Sequence, residues 1–96
     1  MKIPEGEFVI RTKREELVFS PGTEGQSRQI MRNGTPFYMG DCRVIGCGVQ
    51  GRRAPDVLTN PGEIKVHLSL VLEPTGEEYT PGMRWYSEPV VEITVR

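Results

Sequence analysis

Glu63-Ile64-Lys65-Val66-His67-Leu68-Ser69-Leu70-Val71-Leu72-Glu73 is the stretch on which the fold turns. Ile64, Val66, Leu68, Leu70 and Leu72 recur at every second position, with Lys65, His67 and Ser69 between them. Side chains on a strand alternate faces with period two. The spacing therefore predicts a half-buried β-strand over 63–73, with five aliphatics in a core and His67 on the opposite face. Val90-Val91-Glu92-Ile93-Thr94-Val95-Arg96 alternates in the same way and is predicted to lie beside it in one sheet.

Working outward, the rest of the chain also reads as short strands divided by turns. Glu7–Arg11 and Leu17–Phe19 flank the charged cluster 12–16 and predict a hairpin. Asn33-Gly34 is a stronger hairpin signal, because both residues accept positive φ. It sets Arg32 opposite Thr35, Met31 opposite Pro36 and Ile30 opposite Phe37. Pro36, lacking an N–H, marks its strand as an edge. Asn33-Gly34-Thr35 also has the form of a glycosylation acceptor, but the turn is the simpler reading. Arg43–Val49 is a further strand in which Gly46 and Gly48 predict a bulge or a close backbone approach. Pro81-Gly82 suits a type II turn. Residues 51–62 are the longest connection, with room for one helical turn near 52–58. The expected fold is all-β: one small antiparallel sandwich or barrel of about six to eight short strands, spanning 1–96 as one domain.

Size and composition agree with that class. A 96-residue chain has room for one core, which would bury about 65% of the unfolded surface. Its 11 Gly and 8 Pro are spread along the whole chain and leave no stretch suited to several helices. No apolar run is long enough to span a bilayer, and the first residues lack the apolar core of a signal peptide. Cys42 and Cys47 lie roughly 16 Å apart along extended chain, beyond disulfide reach. Free thiols and a cytoplasmic location are the expectation.

Net charge is −1, yet residues 1–53 carry nine Lys or Arg against six acids, and 54–96 carry three against seven. Such halves could pair across a homodimer, or face an oppositely charged partner.

The chain contains few chemical motifs, and each fails on context. Gly46-Cys47-Gly48-Val49-Gln50-Gly51 matches the dinucleotide fingerprint, but Pro55 follows too soon for the long helix that the motif needs. A phosphate nest of its N–H groups with Arg52 and Arg53 is the milder alternative. Cys42, Cys47 and His67 fall short of a zinc set and lack its spacing. They offer at most a thiol–imidazole pair without a third group. No cofactor, metal or catalytic set is indicated, and a non-enzymatic protein is expected.

Two binding hints remain. Met83, Arg84, Trp85 and Tyr86 follow the Pro81-Gly82 turn, and Phe37 and Tyr38 lie on the expected edge. These residue types anchor protein interfaces. They predict an interaction module acting on a larger protein or assembly through an edge strand and an aromatic turn, the role of many accessory, inhibitory and phage structural proteins. The acidic 73–92 region would steer basic partners. The alternative is a single-stranded nucleic-acid or RNA-binding barrel that uses Arg28, Arg32, Arg43, Arg52 and Arg53 with the nearby aromatics. An overall pI of 5.8 argues against it.

Overall fold

The computed structural model describes residues 1–22, 25–51 and 53–96. Its strands are β1 (Phe8–Thr12), β2 (Glu16–Pro21), β3 (Ser27–Arg32), β4 (Thr35–Pro36), β5 (Cys42–Val49), β6 (Val57–Pro61), β7 (Ser69–Pro74) and β8 (Trp85–Val95). Every pairing is antiparallel. Six strands, β1-β2-β3-β5-β7-β8, pair in that order and close on themselves, so the fold is a barrel and not a sandwich. Within the ring each strand pairs with the next one in sequence, an up-and-down meander. β4 and β6 are excursions outside it, lying against β3 and β5 respectively.

Alternation explains the core. On β1 and β2, Phe8 faces Phe19 and Ile10 faces Leu17, all fully buried. The two phenyl rings stack with centroids 4.7 Å apart and nearly parallel planes. Ile30, Cys42, Leu70, Leu72 and Val90 complete the inner layer from the other ring strands. Each such aliphatic contributes about 1.5–3 kcal/mol by leaving water.

The 63–73 segment departs from its predicted form. Only Ser69–Pro74 is strand. Leu68 N–H donates to the Lys65 carbonyl at 3.3 Å with His67 at φ +78°, so residues 65–68 turn. Ile64, Leu70 and Leu72 are buried as expected, but Val66 is exposed and Leu68 only half-buried. Ile64 reaches the core from an exchange of backbone hydrogen bonds with Met1. β7 itself is buried on both faces from Ser69 to Leu72. His67 is exposed, and β7 and β8 are neighbours as predicted.

The long 51–62 connection also differs. No helical turn occurs among its described residues; Val57–Pro61 instead forms β6. Gly46 and Gly48 show why β6 fits. A Cβ at Gly46 would collide with the Asn60 carbonyl, and one at Gly48 with the Val57 carbonyl. Both predicted features are present there, the close approach and the bulge between Cys47 and Gly48.

A second irregularity lies where β7 meets β8. Opposite Leu70, β8 carries extra residues, and the Leu70 N–H finds no backbone acceptor there. It donates instead to Ser87 Oγ at 2.8 Å, and that hydroxyl donates to the Glu88 carbonyl at 2.6 Å. Ser87 is 1% exposed. Ser87→Ala strands a buried N–H and should cost about 1–3 kcal/mol. Urea unfolding checks this, and an unchanged midpoint would show that the hydroxyl contributes nothing.

Candidate interaction surface

The Asn33-Gly34 turn forms with the predicted register, Arg32 opposite Thr35 and Met31 opposite Pro36. Phe37 N–H then donates to the Ile30 carbonyl at 2.9 Å, and Gly40 N–H closes a turn on Phe37 O. Phe37 goes inward and is 4% exposed, while Tyr38 stands 69% exposed. From the other side of the sequence, Thr75 bonds the Asp41 carbonyl through its N–H and its hydroxyl, which brings the 75–84 connection alongside. Met83 N–H donates to Thr80 O, with Gly82 at φ +87°, the turn its sequence predicts. That turn delivers Trp85 into β8 opposite Leu72.

Two segments far apart in sequence therefore meet. The Phe37 and Trp85 rings are edge to face with centroids 5.1 Å apart, and Tyr38 leans on Phe37 at 5.0 Å. The Arg32 guanidinium lies 5.5 Å from the Trp85 ring centre and 6.0 Å from that of Phe37. Its charge is met by the Glu15 carboxylate. Aromatic pairs of this kind add about 0.5–1.5 kcal/mol to burial, and a cation over a ring a comparable amount. Glu15 is thus a structural partner, although in the sequence it stands only as one charge of the cluster 12–16. It lies two residues before Leu17, the β2 partner of Arg32, and so falls on the same face one step along; that spacing was the signal available.

The other residues of the expected contact set are placed differently. Phe37 is the floor of the patch and is not open to a partner. Trp85 is half-buried and packs against the core. Met83 and Arg84 are exposed. Tyr86 pairs with Val71 on the face of β8 opposite Trp85 and stands apart from the patch.

The arginines do not form one basic surface. Arg28 is only 9% exposed and donates to the carbonyls of Pro4, Glu5 and Gly6 at 2.6–3.0 Å, with its guanidinium 5.7 Å from the Phe8 ring centre. Arg32 is engaged as described. Arg43 pairs with Glu73 at 2.5 Å. Arg53 is exposed, and Arg52 lies outside the described residues. The inward row of β3 is Arg28, Ile30, Arg32, so the two engaged arginines flank the core from opposite ends.

Part of the charge asymmetry between the two halves is met by ion pairs on the outer surface of the barrel. Arg11 faces Glu92, Arg14 pairs with Glu88 and Arg43 with Glu73, each joining an N-terminal base to a C-terminal acid. The proposed phosphate nest is similarly occupied, because Gly51 N–H donates to the Asp56 carboxylate at 2.9 Å.

Both cysteines are free and buried. Burial, with a smaller push from the Asp41 charge, raises the Cys42 thiol to about 12. Burial also raises Cys47. A high thiol pKa withholds the thiolate that nucleophilic or metal chemistry needs at neutral pH. Among the described residues no three His, Cys, Asp or Glu side chains gather as a metal site, and no helix is long and apolar enough to cross a membrane. A groove of about 800 Å³ beside Lys2, Glu5, Arg28, Arg43 and Glu63 carries charges of both signs. A smaller cleft of about 490 Å³ holds His67, Asp56 and Ser69.

No protein-family model, curated protein or solved structure matches the chain. A small β-barrel hosts many functions, and the fold indicates none of them.

Proposed function

We propose that this barrel is a protein-interaction module that binds a larger protein through Tyr38 and the neighbouring Met83, Arg84 and Trp85. The observation that carries the reading is the packing of Phe37 against Trp85, which unites two distant segments beneath an exposed tyrosine. Anchors of this sort work best as rigid aromatics with few torsions to freeze. Here Arg32, Phe37 and Glu15 hold the base of the patch. Anchoring by side chains is favoured over strand addition, because β4 is two residues long and Pro36 removes a donor from its edge.

The nucleic-acid reading has less support, since Arg28, Arg32 and Arg43 are engaged within the chain. The test is capture from the native host with and without nuclease, followed by affinity measurement on the captured protein. Tyr38→Ala with Met83→Ala removes two exposed side chains, should leave the circular dichroism spectrum unchanged, and should weaken binding by roughly tenfold or more. Capture that disappears with nuclease, or that the double variant retains in full, would sink the proposal.

A further inference from the structure

We propose that Asn33 is a site of spontaneous covalent modification, at which the main chain closes on the Asn33 side chain and the ring reopens as aspartate or isoaspartate. The reaction needs a free backbone nitrogen beside the carboxamide, an unhindered approach and a donor on the carboxamide oxygen. The β3–β4 turn supplies all three. The Gly34 N–H makes no hydrogen bond among the described residues, and nothing stands within 4 Å of where a Gly34 side chain would be. Glu16 N–H donates to Asn33 Oδ1 at 2.8 Å, aimed at the oxygen on which negative charge develops when the carbonyl carbon is attacked. Asn33 and Gly34 hold positive φ, at +50° and +79°, and both are exposed.

In the first step the Gly34 nitrogen bonds to Asn33 Cγ, the Cγ–Nδ2 bond breaks, and Nδ2 leaves as ammonia with the proton from the Gly34 N–H. The product is a five-membered imide. Water then adds to one of its two carbonyls. Opening at Cγ restores the normal linkage with aspartate in place of asparagine, and opening at the main-chain carbonyl routes the backbone through the side chain. The net change is one water in and one ammonia out, with no oxidant or cofactor.

The chain carries its own control. Its other asparagine, Asn60, precedes Pro61, whose ring nitrogen has no proton to give, so the imide route is closed there. The consequence of the modification is local and large. Asn33 holds the end of the β2–β3 ladder through its N–H to Glu16 O and its side chain to Glu16 N–H. The isoaspartate form lengthens the main chain at that point and sets a new carboxylate beside Glu16, which loosens the segment leading to Tyr38.

The test incubates the folded protein in mildly alkaline buffer at body temperature and maps peptides by mass. The expected result is a gain of about one dalton at Asn33, at least about tenfold faster than any change at Asn60. A parallel arm in urea separates the fold from the bare sequence. Conversion confined to the urea arm, or absent from both, overturns the proposal. In the separated isoaspartate form, amide exchange across Thr35–Tyr38 should be at least about tenfold faster; an unchanged rate overturns the loosening.

Discussion

Gly48→Ala should destabilise the barrel by about 3 kcal/mol. The new Cβ would sit on the Val57 carbonyl oxygen, 2.9 Å from its carbon and 3.0 Å from Leu58 Cα. These are backbone atoms of the strand paired with Gly48, so no rotamer change relieves the clash. β6 must move off β5 or the pair must shear. Gly46→Ala meets the Asn60 carbonyl in the same way, at a φ of +151° that side chains rarely adopt. Gly6→Ala is the control. Nothing lies within 4 Å of that position, and its cost should stay within about 0.5 kcal/mol. Urea unfolding of the three variants checks the order. Equal midpoints would mean that β6 does not lie against β5 as described.

Arg28→Ala should cost about 2–4 kcal/mol. One guanidinium donates to three successive carbonyls of residues 4–6, and those residues lead back to the Lys2–Glu63 bridge. Removing it leaves part-buried carbonyls without donors and frees the N-terminal segment from the barrel mouth. Arg28→Lys should recover little of the loss, because an ammonium cannot present the planar fork of donors that spans three acceptors. Hydrogen exchange should quicken first around Met1–Gly6 and at Ile64, whose N–H bonds Met1. Full stability in the lysine variant would reduce this contact to simple charge.

Most local structure was legible in the sequence, and the reasons are specific. Asn33-Gly34 and Pro81-Gly82 encode turns through φ alone, so their registers follow from the residues themselves. Gly46 and Gly48 announced a close approach because nothing else explains two glycines in an apolar run. The segment 64–68 misled because alternation is necessary for a strand but not sufficient. Lys65–Leu68 carries no glycine, proline or asparagine, and His67 adopts a left-handed φ with no marker in its type. β6 was hidden for the opposite reason. Pro55, Asn60 and Pro61 read as loop, and its place depends on glycines in another strand. The interaction patch was half legible. Each of its two segments stood out by composition, whereas their meeting depends on barrel closure, which is a long-range event. The arginines misled most, since composition counts charges and cannot see which face of β3 they occupy.

Closure of the ring rests on its shortest joint, Ser27 with Arg43 and Arg28 with Cys42. Cut there, the meander would unroll into an open sheet bounded by β4 and β6, and the facing stretches Ser27–Arg28 of β3 and Cys42–Arg43 of β5 would be left bare. Raw strand edges recruit other chains. The clasp that shapes the barrel is therefore also its safeguard against self-association: conditions that weaken Arg28 or the Ser27–Arg43 pairing would expose complementary edges, and a β3 from one copy could complete the ring of another.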